Sequence, residues 1–231
     1  REFISHTGYL GSRRISVLST GIGTDNIDIV FNELDALVNI DFSTRTVKPN
    51  LKSLNIIRIG TSGAVQEDIP IGSIMVSEYG IGLDSLMQYY QHQPSEDEHN
   101  ILDDIKSHFY HFKGISPYIT AADTQLIETI GIGLERGITV TAPGFYAPQG
   151  RQVRAKASLP GLIDDIRLFS TGKHRITNLE METAGIYALS RVLGHKALSV
   201  NAILASRLKF RFASNPGKII NQAIELVLSR L

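Results

Sequence analysis

The stretch Ile15-Ser-Val-Leu-Ser-Thr-Gly-Ile-Gly-Thr-Asp-Asn-Ile-Asp-Ile-Val-Phe-Asn-Glu-Leu-Asp-Ala-Leu-Val38 decides the fold class. Residues 15–19 read as a buried strand and Thr20-Gly-Ile-Gly23 as a tight turn. Residues 25–38 then place Ile27, Val30, Phe31, Leu34 and Val38 on one face of an amphipathic helix. The alternation continues downstream. Strands are expected at 55–60, at 73–77 after the turn Asp68-Ile-Pro-Ile-Gly72, at 138–141 and at 197–205; helices are expected at 96–112, 124–136, 181–193 and 215–231. This order implies an α/β fold: a three-layer αβα single domain over residues 1–231, with a mixed, mainly parallel central sheet. Ligand sites in such sheets gather where strands end and the chain turns outward. Two segments read as irregular, the polar 41–53 and the Gly/Pro/Gln/Arg-rich 142–158.

Composition removes several function classes. The 23 lysines and arginines balance 23 aspartates and glutamates. Nucleic acid and anionic membranes select a net basic face, so neither is expected as the main partner. The absence of cysteine excludes disulfides, thiolate chemistry and Cys-based zinc sites. No apolar run is long enough to cross a bilayer and no signal-peptide pattern is seen, so a cytoplasmic location is expected. Arg1-Glu-Phe-Ile opens on strand-like residues, and a further N-terminal segment carrying function is expected before it.

Four motifs carry chemistry. Asn178-Leu-Glu-Met-Glu-Thr-Ala-Gly185 sets Glu180, Met181 and Glu182 at a helix start. Acids there favour the positive end of the helix dipole, and a carboxylate aimed into a pocket also suits vicinal sugar hydroxyls. Arg58-Ile-Gly-Thr-Ser-Gly63 is expected at a strand exit, where Gly60 and Gly63 permit a turn. There Thr61 and Ser62 offer hydroxyls and backbone NH groups to an anion, and Arg58 offers a guanidinium fork. Thr20-Gly-Ile-Gly23 has a similar shape but is no dinucleotide fingerprint, because Asn26 stands where a third glycine belongs. Phe145-Tyr-Ala-Pro-Gln-Gly-Arg151 could stack an aromatic on a flat ring and read its edge through Gln149 and Arg151, which suits a carbonyl–NH–carbonyl pattern such as uracil's. His108 and His111 share a helix without a third ligand, so they read as surface residues and not as a metal site.

In the order TGIG, RIGTSG, FxxxQxR and EMET, these motifs resemble the nucleoside phosphorylase family over most of the chain. The resemblance implies phosphate binding by Arg58, Gly60 and Thr61, with Thr61 also near the ribose. Glu182 would hold the ribose hydroxyls, Met181 would pack on the sugar, and Glu180 would share the motif. Phe145 would lie beside the base, with Gln149 and Arg151 recognising it. Arg58, Glu182 and Arg151 would carry catalysis. Arg1 would reach the phosphate of a neighbouring subunit, giving a homodimeric active unit within a homohexamer. A monovalent cation, potassium, is implied at Glu2, Ile22 and Asn26, although such relatives carry serine where Asn26 stands. The family's Gly-Asp-Pro-x-Arg phosphate loop and a ribose-binding histidine would precede Arg1.

Purine-cleaving relatives have an aspartate after the serine that ends the late strand, where this chain has Arg207. Arg207 is therefore counted with the base-binding residues. The implied reaction is phosphorolysis of uridine to uracil and ribose 1-phosphate, with inorganic phosphate as co-substrate and no organic cofactor. Purine nucleoside phosphorolysis is the nearest alternative. A hydrolytic nucleosidase and a non-catalytic nucleoside-binding protein follow.

Overall fold

The computed structural model describes residues 3–109 and 114–231. In chain order the elements are β1 (Ser5–Leu10), β2 (Arg13–Leu18), α1 (Thr24–Asn39), β3 (Ile40–Asp41), β4 (Thr46–Val47), β5 (Asn55–Ala64), β6 (Ile74–Gly82), α2 (Glu96–His108) and β7 (Tyr118–Ala121). The second half adds α3 (Thr124–Thr129), β8 (Glu135–Thr141), α4 (Leu162–Leu168), β9 (Ser170–Thr171), β10 (His174–Glu180), α5 (Thr183–Leu193), β11 (Lys196–Ser206), β12 (Arg211–Phe212) and α6 (Pro216–Arg230).

The central sheet is mixed, and its longest ladders are parallel: β5 with β11, β6 with β8, and β8 with β10. Two antiparallel contacts then close it on itself. Leu179 of β10 faces Gly63 of β5, and Val200 of β11 faces Val76 of β6. The strands therefore form a circuit, β5–β11–β6–β8–β10 and back to β5, with β7, β9 and β12 added at its sides. Register shifts between Ser77 and Tyr79, Ile176 and Asn178, and Ile203 and Ala205 supply the local bends that such curling needs.

Helices cover two faces. Ile27, Val30 and Phe31 of α1 pack with Leu126 and Ile127 of α3, Tyr187 of α5 and Val227 of α6. Ile101 and Ile105 of α2 pack with Leu162 and Ile166 of α4 against Ile138, Val140 and Ile176 of the sheet. Burying each of these large side chains stabilises the fold by about 1.5–3 kcal/mol.

Several expectations are corrected. The strand read at 15–19 exists as β2, but it is not buried: it pairs only with β1, in a separate hairpin that leaves Val17 62% exposed. The strand at 55–60 runs on to Ala64, so RIGTSG lies inside a strand and not in an exit loop. The helix read at 124–136 stops at Thr129. Gly131 and Gly133 follow, the latter in the left-handed region, and β8 begins at Glu135. The helix read from 96 ends at His108, and residues 110–112 of that reading lie outside the described residues. β7, α4 and β10 were not anticipated. A short hairpin of β3 and β4 occupies part of the segment read as irregular.

One buried ion pair ties the two helical faces together. The Glu98 carboxylate on α2 accepts both terminal nitrogens of Arg191 on α5, at 2.5 and 2.7 Å, and the backbone NH of Ser95 at 2.6 Å. It also accepts the NH of Ala121. Burial pushes the Glu98 carboxyl up, but Arg191 and the backbone donors outweigh it and hold the group below the ordinary carboxylate range. A depressed carboxyl stabilises the fold above its unfolded pKa and loses that contribution as pH falls through the lower folded value. Arg191→Met should therefore lower stability by about 3 kcal/mol at pH 7, the low end for a broken buried pair because Arg191 keeps 36% of its side chain in solvent. Urea titration should show the deficit narrowing as pH falls toward about 4; a deficit independent of pH would exclude the ion pair as its cause.

Candidate active site

The site begins with the way Arg58 lies on its strand. Its side chain folds along β5 over Gly60, where an added Cβ would fall 2.2 Å from Nη1. From the neighbouring strand, Ser199 Oγ and Asn201 Oδ1 accept Nη1 at 3.3 and 3.2 Å. The far end, Nη2, meets Glu182 Oε2 at 2.7 Å and Glu180 Oε2 at 2.9 Å. Burial opposes the guanidinium charge, but the two carboxylates more than offset it and raise its pKa above the ordinary value.

The two acids have different duties. Glu180 closes β10, and its carboxylate accepts Thr141 Oγ1 at 2.7 Å and the backbone NH groups of Glu182 and Thr183, both at 2.9 Å. It thus satisfies orphan donors at the start of α5, and its oxygens are already engaged. Glu182 is less committed. Its Oε1 accepts only the Gly23 NH, at 2.8 Å, and its Oε2 accepts Arg58. A lone pair on each oxygen is left for a further donor. Burial and the neighbouring Glu180 raise the Glu182 carboxyl above its ordinary pKa, against the pull of Arg58 and Gly23. Gly23 sits at φ 97°, a conformation that favours glycine, so the TGIG turn presents its NH to this carboxylate besides turning the chain.

Alternation along β5 separates the hydroxyls of RIGTSG. Thr61 is exposed on the opposite face of β5 from Arg58, whereas Ser62, on the Arg58 face, is buried and donates to the Leu179 carbonyl at 2.9 Å. The expectation that Ser62 offers its hydroxyl to an anion is thus corrected. Met181 lies half-buried between the two acids.

A second group assembles after Gly63. An added Cβ there would come 3.0 Å from Arg207 Cδ, so the missing side chain admits Arg207. Arg207 Nη2 donates to the Gln149 carbonyl at 2.6 Å, and its buried Nε has no partner. Arg151 donates to Phe145 O at 2.6 Å and Gln149 Oε1 at 2.5 Å, with its guanidinium carbon 3.9 Å above the Phe145 ring. Burial, then the charge of Arg207, lowers the Arg151 pKa to about 10. Burial also lowers that of Arg207. Among the described residues no carboxylate offsets either charge. The site thus has an acidic pole around one arginine and a pole of two arginines that no carboxylate among the described residues offsets, with Glu180 at the end of β10 and Arg207 just past the end of β11.

The sequence-expected residues Arg58, Gly60, Met181 and Glu182 gather at the first pole and Phe145, Gln149, Arg151 and Arg207 at the second, while Thr61 is exposed on the face of β5 that carries Gly63 and not on that of Arg58. Arg1 and Glu2 lie outside the described residues. Asn26 Nδ2 donates to the Ile22 carbonyl at 2.9 Å, engaging an oxygen that a cation there would need. His108 is not a surface residue: its Nε2 lies 2.8 Å from the Asp165 carbonyl and its ring packs on Phe109 and Phe169. His111 lies outside the described residues. Thr141, Ser199 and Asn201 were missed, and their only signal was a small polar residue inside an apolar strand.

The family described as the Phosphorylase superfamily matches residues 1–223. A uridine phosphorylase of Thermococcus kodakarensis is 30% identical over 216 residues, covering 92% of this chain and 65% of the relative. A DeoD-type purine nucleoside phosphorylase of Actinobacillus pleuropneumoniae is 26% identical over 202 residues, covering 87% and 65%. The chain thus spans just under two thirds of the length of these curated relatives. A Trypanosoma brucei nucleoside phosphorylase, whose crystal structure is described as showing uridine phosphorylase activity, superposes with a TM-score of 0.87 at 26% identity, covering 100% of this chain and 84% of that one.

Gly60→Ala should leave the fold intact, because the clash is with the end of a long side chain, and should push the Arg58 guanidinium away from Glu182. Losing an opposite charge raises a carboxyl pKa. Carbon-13 NMR of the Glu182 carboxyl should therefore show an upward shift in the variant, and an unchanged titration would refute the placement of Arg58.

Proposed function

The chain belongs to the phosphorylase superfamily, and we propose that within it this protein catalyses the reversible phosphorolysis of uridine to uracil and ribose 1-phosphate. The observation that carries this reading is the pair of guanidiniums, Arg151 and Arg207, which flank Gln149 and have no carboxylate partner among the described residues. Uracil can leave as a delocalised anion, and two donors with unoffset charge are placed to take up that charge as the glycosidic bond lengthens. Phe145 supplies a face for the base, and Gln149 supplies a donor and an acceptor for its edge.

At the other pole, the free lone pairs of Glu182 match two adjacent ribose hydroxyls, which a carboxylate can grip through an oxocarbenium-like transition state. Glu180 keeps the junction of β10 and α5 rigid beneath it. Arg58 and Thr61 hold phosphate against C1′ on the face opposite the base. Catalysis is positioning and electrostatics, with no covalent enzyme intermediate and no organic cofactor.

Charge supports an oligomeric active unit. Arg58, Glu180 and Glu182 sum to one negative charge, so a phosphate anion there needs positive charge from elsewhere. Arg1 of a neighbouring subunit, as the resemblance implies, meets that need and makes a dimer the smallest active unit, within a hexamer. A potassium site at Glu2, Ile22 and Asn26 would belong to the same interface. No helix among the described residues is long and apolar enough to cross a membrane; a role in cytoplasmic pyrimidine salvage suits a nucleoside and inorganic phosphate as substrates.

Relatives of both specificities support a second reading, purine nucleoside phosphorolysis. Arg207 in place of an acid favours the pyrimidine. The deciding experiment follows uracil release from uridine by ultraviolet absorbance, with and without phosphate, and runs inosine in parallel. Phosphate-dependent cleavage of uridine is expected; release without phosphate would mean hydrolysis, and cleavage of inosine alone would mean a purine pocket. Within this reading Arg151→Ala should lower kcat by about 100-fold, the effect of losing one oxyanion-type donor. Near-normal turnover in that variant would remove Arg151 from the mechanism.

A further inference from the structure

Every strand of the closed circuit contributes a small polar side chain to one connected series: Ser62 from β5, Ser77 from β6, Thr139 from β8, Asn178 from β10 and Asn201 from β11, with Ser199 of β11 beside Asn201. All are buried. A guanidinium can only donate, so Arg58 Nη1 fixes Asn201 with its Oδ1 facing Arg58 at 3.2 Å. The Asn201 amide nitrogen then faces away and donates to Ser77 Oγ at 2.8 Å. Ser77 Oγ lies 2.5 Å from Thr139 Oγ1, and because Thr139 gives its one hydrogen to Asn178, Ser77 is the donor between them. Thr139 in turn donates to Asn178 Oδ1 at 3.0 Å, and Asn178 Nδ2 donates to Ser62 Oγ at 2.6 Å. Ser62 ends the series on the carbonyl of Leu179, beside Glu180.

The series starts on β5, visits β11, β6, β8 and β10, and returns to β5, which is the order in which the strands pair. Every donor in the series points the same way around the circuit: the cation at its head orients the Asn201 amide, and the Asn178 amide orients Thr139 and Ser77. A wholly apolar interior would hold the strands together as well or better, because buried polar groups add stability only when every partner is satisfied. What an apolar interior could not do is hold a guanidinium at a fixed tilt.

We propose that this one-way ring of hydrogen bonds positions Arg58, with Asn201 gripping the guanidinium and Ser77, Thr139, Asn178 and Ser62 fixing Asn201. The proposal rests on the reading of Arg58 as a phosphate ligand. Asn201 and Thr139 are fully buried, so neither touches substrate, and they act through Arg58 alone. Their oxygens are uncharged, so they restrain the cation without neutralising it. The carboxylates restrain only its other nitrogen.

The test compares Asn201→Ala and Thr139→Val with the unaltered protein, varying phosphate at saturating uridine and then uridine at saturating phosphate. Thr139→Val keeps the side-chain shape and acts three hydrogen bonds away from Arg58. The phosphate KM should rise about tenfold in Asn201→Ala and about threefold in Thr139→Val, with the uridine KM within about twofold, since small misplacements of a binding group carry penalties of this order. Ile176→Val, an apolar truncation in the same sheet, controls for lost stability and should leave both constants unchanged. An unaltered phosphate KM in both ring variants, or an equal rise in the control, would overturn the proposal. Should Asn201→Ala fail to fold, Thr139→Val decides alone. Uridine cleavage without phosphate in the unaltered protein would sink the phosphorylase reading instead. In that case the nitrogen-15 NMR signals of the Arg58 guanidinium still decide: broadening in Thr139→Val supports the ring, and unchanged signals refute it.

Discussion

The guanidinium of Arg58, set between Glu180 and Glu182, is the interaction on which the site depends. Two buried carboxylates placed two residues apart would resist ionising together, because burial and mutual repulsion both favour the protonated form. One arginine reaching both supplies the opposite charge between them. Each acid then fixes a different piece of backbone. Glu180 holds the first NH groups of α5, and Glu182 holds the turn that opens α1. The entry angles of two helices that cover one face of the sheet are thus referred to a single cation on β5.

How much of this was legible depended on the range of the contact. The α1 stripe of Ile27, Val30 and Phe31 was read correctly because a helix face is a local pattern. The polar cluster at Glu180 and Glu182 was legible as a site because Met181 between two acids suits neither a core face nor a solvent face. The strand character of RIGTSG was not, because Gly60 and Gly63 are poor strand formers and read as a turn. Only Arg58 and Arg207, one on β5 and one at the end of β11, show what occupies the space those glycines leave. The burial of Val17 was read from hydropathy, but burial belongs to whatever covers a strand, and β2 pairs only with β1. Likewise 124–136 carried a helical spacing that Gly131 and Gly133 interrupt, and the downstream half joined β8 because a sheet position was there to take it.

The two poles of the site divide the electrostatic work. Around Arg58 two carboxylates face one guanidinium, so this end can grip hydroxyls but receives an anion only with positive charge brought from elsewhere. Around Gln149 two arginines stand without a carboxylate partner among the described residues, and both have their charged forms disfavoured by burial. That arrangement is unfavourable when empty and is relieved by negative charge arriving between them. Such an end binds a departing anion better than a neutral base, which is the preference a leaving-group site needs. The sheet sets the separation of the poles, since β5 and β11 contribute to both.

Closure of the sheet explains why a network of hydroxyls and amides can exist there at all. An open sheet would cover its faces with helices and leave no enclosed space between strands, whereas the circuit from β5 through β8 and back has an inside. Side chains pointing into it must be small to fit, and polar ones must find one another because no water or backbone edge is available. Arg58 enters this space from β5 with donors only and so orients the Asn201 amide, and the series it starts meets the Asn178 amide in the same sense. The chemistry at the rim and the packing at the centre are therefore one hydrogen-bonded system, and a change at Thr139 should be felt at Arg58 although the two share no atom contact.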